Sequence, residues 1–199
     1  MKRFRLLTDM DDVMEDLLVQ WLELLRFLQR NNPQYVHKSP EEITDWDIQK
    51  FFPMLTIDEV FEPLNTPIIW DMIRPKPGAV QALSYFNDRD DVDVRILTNS
   101  HYSSIPYKRA FLKKYFPFIG WNQVIITAEK QFVNGDVLID DNPNNLIGGN
   151  YKGILFPASH NKNFDISRYP YIFKTTGWDG CKVILEKMIE DFKAEEAIT

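Results

Sequence analysis

Apolar and polar positions along this chain change rhythm twice. Residues 3–8, Arg-Phe-Arg-Leu-Leu-Thr, alternate and then run apolar before the acids Asp9, Asp11 and Asp12. This predicts a short strand that delivers Asp9 to a turn at its C-terminal end. From Met14 to about Asn31 the residues Leu17, Leu18, Trp21, Leu24, Leu25 and Leu28 recur at steps of three and four, the pattern of an amphipathic helix, closed by Asn31-Asn32-Pro33. Ser39-Pro40-Glu41-Glu42 and Thr56-Ile57-Asp58-Glu59 both have the form of a capping box, so residues 15–75 are expected to be wholly helical. After Lys76-Pro77-Gly78 the rhythm becomes helix 79–87, strand 92–97, helix 105–115, then strands 123–127, 136–139 and 153–156. A last helix from about Trp178 to Glu195 carries Val183, Ile184, Met188, Ile189 and Phe192 on one side.

Strands alternating with helices imply an α/β fold, a parallel sheet with helices on both faces, here with a helical insertion after the first strand. The expected division is a core of residues 1–14 and 76–199 and an insertion of residues 15–75. Composition agrees with a folded core: of 199 residues, 44% are hydrophobic and 14% aromatic, which excludes a disordered chain. The net charge of −6 argues against contact with a nucleic-acid polymer, though not against a small anionic ligand held locally. Cys181 is the single cysteine, expected to be a small buried hydrophobe, and His37, His101 and His160 are scattered. Neither an internal disulfide nor a Cys/His zinc site is expected, and a reducing, cytoplasmic setting fits. The acids at 9–12 interrupt the first apolar run, so neither an export signal nor a membrane span is expected.

Ligands of such sheets sit at the C-terminal ends of the strands. Asp9 and Asp11, two apart, can face one ligand. Strand 92–97 ends in Thr98-Asn99-Ser100, the next leads through Thr127 to Lys130, and strand 136–139 ends in Asp140-Asp141. Carboxylates packed together raise one another's pKa unless a cation sits among them, and an all-oxygen site suits Mg²⁺. Such a site also polarises a phosphoryl group, with Thr98 and Lys130 supplying a donor and a positive charge. EF-hand calcium loops fail: counting twelve residues from Asp9 puts Gln20 where a bidentate Glu is required, and counting from Asp140 ends on Tyr151. Asp12, Glu15 and Asp16 are expected to serve the dipole of the helix they open. His101 follows Ser100 and is read as a loop residue with a local hydrogen bond.

Taken in order, Asp9-Met10-Asp11-Asp12-Val13, Ile96-Leu97-Thr98-Asn99-Ser100, Lys130 and Ile139-Asp140-Asp141 resemble the four motifs of the haloacid dehalogenase superfamily. More narrowly, with KPGAVQAL, EKQFVNGDVLIDDNP, ILFPASHN and the closing TTGWDG, the chain looks like the 5′(3′)-deoxyribonucleotidases, the pyrimidine type C nucleotidases. The resemblance implies a Rossmann-like core with a helical cap closing over the base. It implies Asp9 as the nucleophile that forms an aspartyl-phosphate, and Asp11 as the general acid that then activates water. Thr98, Asn99, Ser100 and Lys130 would bind the phosphoryl group. Asp9, the backbone carbonyl of Asp11, Asp140 and Asp141 would hold Mg²⁺, with the share of the last two left open. Among the cap aromatics Trp46 and Phe52 are the expected base contacts. The implied substrate is a nucleoside monophosphate, and a homodimer is left open. Two departures stand out: Asp12 and Asn99 replace a glycine and part of a Thr-Ser pair in human-type members. Competing readings are a phosphatase of the same fold acting on a sugar phosphate, and a catalytically quiet nucleotide-binding member.

Overall fold

The computed structural model describes residues 2–198. Six strands form one sheet: β1 (Phe4–Thr8), β2 (Val92–Thr98), β3 (Val124–Ile126), β4 (Val137–Asp140), β5 (Lys152–Leu155) and β6 (Ile172–Lys174). Every pairing is parallel and the spatial order is β3-β2-β1-β4-β5-β6. The chain therefore builds outward from β1 on one side, then crosses over and builds outward on the other. Thr8 pairs with Ile139 at the crossover, so the residues that follow β1 and end β4 are neighbours. That crevice is where an open α/β sheet receives its ligand.

A parallel sheet covered on both faces reads as continuous apolar runs whose alternate residues feed two cores. Leu6, Ile96, Ile139 and Ile154 belong to the larger core, and Leu7, Leu97, Leu138 and Leu155 to the smaller. Each such side chain, fully buried, contributes about 1.5–3 kcal/mol. The larger core also takes in the buried faces of α1 (Leu17–Leu28), α4 (Ala79–Asn87), α5 (Ile105–Tyr115) and α7 (Trp178–Ile198). Trp178 and Cys181 pack there, and the Trp178 indole N–H donates to the Val13 carbonyl at 2.9 Å. This bond anchors the turn that carries the first acids. Gly78, at φ +82°, brings the chain against the same tryptophan: a Cβ there would lie 3.1 Å from Trp178 Cβ.

The sequence reading needs two corrections here. Residues 15–75 are not wholly helical: besides α1 they form α2 (Ile57–Phe61), α3 (Pro67–Met72) and three short 3₁₀ turns. Residues 32–39 form no helix. Pro33, Pro40, Pro53, Pro63 and Pro67 interrupt the segment, because each lacks an N–H donor and restricts its predecessor. β6 was not expected, being three residues long with only Ile172 buried. The helix over Pro143–Leu146 was not expected either, while the other strands and α1, α4, α5 and α7 fall within three residues of where the periodicity puts them.

The excursion leaves and returns through a narrow neck. Glu15 bridges antiparallel to Pro75, Lys76 N–H donates to the Met14 carbonyl at 2.9 Å, and Arg74 N–H donates to Asp16 Oδ1 at 2.6 Å. Asp12 adds a further clasp: its carboxylate accepts the Leu18 N–H at 3.1 Å and lies 3.4 Å from Lys76 Nζ. Its φ of +56° lies in the left-handed region that favours glycine, and aspartate is among the few other residues that tolerate it. Among the described residues no helix is long and apolar enough to cross a membrane.

Gly135, just before β4, shows how tightly the central strands pack: a Cβ there would come within 2.4 Å of Leu7 Cδ1. Gly135→Ala is expected to lower unfolding free energy by about 1–3 kcal/mol through overpacking, as measured by urea titration. An unchanged midpoint would show that Leu7 yields freely.

Candidate active site

The crossover at β1 and β4 brings three carboxylates together. Asp9, Asp140 and Asp141 are buried, and one oxygen of each lies within 4.8 Å of the others. Register explains this: Asp9 follows β1 directly, its N–H donates to the Ile139 carbonyl at 2.8 Å, and Asp140 is the last residue of β4.

Lys130 answers part of this charge. Its Nζ lies 2.7 Å from Asp9 Oδ1 and 2.6 Å from Asp140 Oδ2. The ammonium is 97% shielded, and the two carboxylates overcome the burial that would otherwise discharge it, holding its pKa above the usual lysine value. Asp9 Oδ1 also accepts the Met10 N–H at 2.7 Å. Among the described residues these bonds all load Oδ1, which leaves Oδ2 available.

The closing aspartates differ sharply. Asp140 is saturated: Oδ1 accepts the Asn142 N–H at 2.9 Å and the Asn145 amide at 3.1 Å, and Oδ2 accepts Lys130 and the same amide at 3.2 Å. Asp141 Oδ1 is buried and has no hydrogen-bond partner among the described residues. Asp141 Oδ2 lies 3.3 Å from His160 Nε2, whose pKa burial lowers, so the imidazole tends to neutrality. The Asn161 amide holds the Asp141 carbonyl at 2.7 Å. An orphaned carboxylate oxygen in a dry site is costly unless something positive meets it.

A second lysine, absent from the sequence reading, stands opposite. Lys108, on α5 and almost fully buried, donates to Asp11 Oδ2 at 2.7 Å, Thr98 Oγ1 at 2.7 Å and the Asn99 carbonyl at 2.8 Å. It ties the acid two residues beyond Asp9 to the end of β2. The available clue was its position: Lys108 lies three and four residues before Phe111 and Leu112, on the apolar face of its helix. A lysine there needs carboxylate or carbonyl partners.

These groups open into a cavity of about 630 Å³. Its lining combines the charged groups Asp9, Asp11, Lys108 and Lys130 with Asn99 and Ser100 after β2 and with the aromatic rings of Trp46, Phe61 and Trp70 from the excursion. Thr98 is buried beneath it, bonded to Lys108. Trp46 is 57% exposed and meets His160 edge-on at 5.0 Å. Phe52, read as a base contact, is instead fully buried and stacks on Tyr35 at 5.9 Å. Its apolar ring is spent on packing the excursion. Phe61 and Trp70 hold the cavity-lining places, packed on Trp21 and Tyr107 respectively. His101 lines the cavity and its Nδ1 is 2.7 Å from Ser103 Oγ, the local bond expected.

The charge balance leaves the site short of cation. Burial is the largest influence on Asp9 and raises its pKa from 3.8 to about 7; Lys130 opposes this, while Asp140 and Asp11 reinforce it. Burial, then Asp140 and Asp9, push Asp141 well above the carboxylate range. The donor set is all oxygen, so a hard divalent cation fits it, with Asp141 Oδ1 as the unsatisfied ligand.

Several comparisons bear on these features. A family model described as 5′ nucleotidase, deoxy (pyrimidine), cytosolic type C protein matches residues 3–174. A 5′(3′)-deoxyribonucleotidase of Clostridium acetobutylicum is 33% identical over 162 residues, covering 78% of this chain and 82% of that protein. A haloacid dehalogenase family hydrolase of Deinococcus radiodurans with bound phosphate and sodium superposes with a TM-score of 0.67 at 12% identity, covering 94% of this chain and 96% of the other. A magnesium-bound hydrolase of that type from Bacillus subtilis gives 0.58 at 14% identity, covering 93% and 99%. At such identities these two structures speak to the fold alone.

The raised Asp9 value has a thermodynamic consequence. Because the fold favours protonated Asp9, the stability this group contributes in cation-free protein is full below about pH 4 and is lost as pH rises through about 7. A divalent cation favours the ionised form. Thermal melts with Mg²⁺ and with EDTA should therefore diverge increasingly from about pH 4 to pH 7. A difference that stays flat or shrinks would contradict the assignment of the cation to this cluster.

Proposed function

Because the chain belongs to the 5′ nucleotidase, deoxy (pyrimidine), cytosolic type C family, within the haloacid dehalogenase hydrolases, we propose that it hydrolyses deoxyribonucleoside monophosphates to nucleoside and phosphate through an aspartyl-phosphate. It is a phosphoric monoester hydrolase. One observation carries the finer reading: Lys130 binds Asp9 through Oδ1 alone, beside an unsatisfied Asp141 oxygen and on the floor of a cavity with an aromatic wall.

In this reading the phosphate of the substrate lies over Asp9, with the base toward Trp46, Phe61 and Trp70. Each aromatic face stacked on a base contributes about 1–3 kcal/mol. Lys130, Lys108 and the N–H and hydroxyl groups of Asn99 and Ser100 receive the phosphoryl oxygens. Thr98 acts chiefly by positioning Lys108. Asp9 Oδ2 attacks phosphorus and the bond to the nucleoside oxygen breaks, with Asp11 giving that oxygen its proton. Asp11, now ionised, takes a proton from water as the water oxygen attacks the aspartyl-phosphate, which frees phosphate and restores Asp9. The Lys108 bond keeps the Asp11 carboxyl over the reaction path between the two steps.

Asp9, Asp141 and the backbone carbonyl of Asp11 would hold Mg²⁺, and Asp140 would support the set through Lys130 rather than ligate. When bound, the ion supplies charge that draws the phosphoryl oxygens and neutralises the cluster. Residues 15–75 would act as the cap, opening and closing about the neck at residues 12–18 and 74–76.

Phosphate release from a panel of ribo- and deoxyribonucleoside monophosphates and common sugar phosphates tests the reading. Release is expected from nucleotides, dependent on Mg²⁺ and abolished by EDTA. Asp9→Asn should be inactive with its fold intact, and Asp11→Asn should lose about 100-fold or more in kcat. Lys108→Met should lose about 100-fold in kcat/KM. Release confined to sugar phosphates would keep the chemistry and replace the substrate, and full activity in Asp9→Asn would overturn the nucleophile.

A further inference from the structure

Asp140 is completely buried and four hydrogen bonds converge on it, two of them from a single amide. That amide belongs to Asn145, at the end of the one-turn helix α6 (Pro143–Leu146). Its Nδ2 spans both carboxylate oxygens, at 3.1 and 3.2 Å. A carboxylate in this position could otherwise turn about its Cβ–Cγ bond and carry Lys130 with it, since Lys130 Nζ sits on Oδ2 at 2.6 Å.

Asn145 is itself held from behind. The Tyr151 hydroxyl donates to the Asn145 carbonyl at 2.6 Å, taking a C-terminal carbonyl that so short a helix leaves unpaired. The Tyr151 ring packs in the smaller core with Leu146. It also occupies the space beside Gly149, where a Cβ would lie 2.2 Å from the ring. At the start of the turn, the Asn142 side chain accepts the Asn144 N–H at 3.0 Å and its carbonyl accepts the Asn145 N–H at 3.0 Å. The turn is thus fixed at both ends.

We infer that Asn145 is a positioning residue for the nucleophile, acting through Asp140 and Lys130 on Asp9, with Tyr151 acting through Asn145. The chain of contacts runs Tyr151 hydroxyl, Asn145 carbonyl and amide, Asp140 carboxylate, Lys130 ammonium, Asp9 Oδ1. Asn145 also lines the cavity, but in this assignment its amide serves Asp140 rather than the substrate. The inference rests on the phosphatase reading only for its kinetic readout.

The test combines kinetics with a spectroscopic measurement that needs no turnover. Asn145→Ala should lower kcat about 10-fold, the effect of losing a hydrogen bond to a charged group, with KM within about twofold of wild type. Tyr151→Phe should shift kcat in the same direction by less. The double variant should match Asn145→Ala, because Tyr151 acts only through that residue. Lysine ammonium proton–nitrogen spectra supply the second readout: Lys130, assigned with Lys130→Arg, should give an exchange-protected signal in wild type that broadens or vanishes in Asn145→Ala. If Asn145→Ala does not fold, Asn145→Ser takes its place in both measurements. A raised KM with unchanged kcat would make Asn145 a substrate contact and overturn the inference. Additive effects in the double variant, or an unaltered Lys130 signal, would overturn it equally. Wild-type silence toward every phosphomonoester would remove the functional reading while leaving the spectroscopic result to decide this one.

Discussion

Too many carboxylates in too dry a place is the constraint around which this structure is organised. Asp9, Asp140, Asp141 and Glu15 are buried, with Asp11 and Asp12 beside them. Three lysines reach in from separate parts of the chain: Lys130 to Asp9 and Asp140, Lys108 to Asp11, and Lys76 to Asp12. Fixed ammonium groups do not cover the whole deficit. Among the described residues Asp11 Oδ1, Asp141 Oδ1 and both oxygens of Glu15 have no hydrogen-bond partner, and burial holds the Asp9, Asp141 and Glu15 pKa values up. In the proposed reading a cation held at the Asp9–Asp141 cluster would complete the balance and, with Lys108 and Lys130, offset the charge of a phosphate.

The sheet makes this concentration of charge affordable. Strand order β3-β2-β1-β4-β5-β6 sets β1 beside both β2 and β4, so three strand ends meet at one crevice. Asp9, Thr98 and Asp140 are each at or directly after a strand end, where backbone direction is fixed by the ladder. Their positions therefore depend on the two apolar cores rather than on loop conformation. The excursion that walls the cavity is tied at its neck, across the Trp46–His160 contact, and by α3 against α5, where Trp70 stacks on Tyr107. In the proposed reading that division would pair a rigid floor for chemistry with a wall that receives the base.

Much of this was legible in the sequence because the floor is built from strand ends. Apolar runs terminated by acids reveal both the strand and its chemical cargo, which is how Asp9, Asp11, Thr98 and Asp140-Asp141 stand out. Lys108 escaped because it lies on a helix, and its partners are brought to it by tertiary packing alone. Asn145 escaped for a similar reason: Asn142-Pro143-Asn144-Asn145 reads as turn chemistry, and only the packing of that turn on β4 and β5 reveals what the Asn145 amide touches. Phe52 was misplaced because an aromatic in a short excursion can either line a cavity or fill a small core, and composition does not distinguish the two. The prolines at 33, 40, 53, 63 and 67 are the sequence feature that keeps residues 15–75 only partly helical despite the two capping boxes.

Asp9 as the phosphorylated nucleophile is the claim on which the account turns, and trapping the phosphoryl group tests it most directly. Asp11→Asn, given p-nitrophenyl phosphate and Mg²⁺, retains a leaving group that needs no proton but lacks the base for hydrolysis. Acid quenching during turnover followed by peptide mass mapping should find one phosphoryl group on the peptide containing Asp9. A phosphoryl group on any other residue, or steady release of nitrophenol with no initial burst and an unmodified Asp9 peptide, would contradict the account.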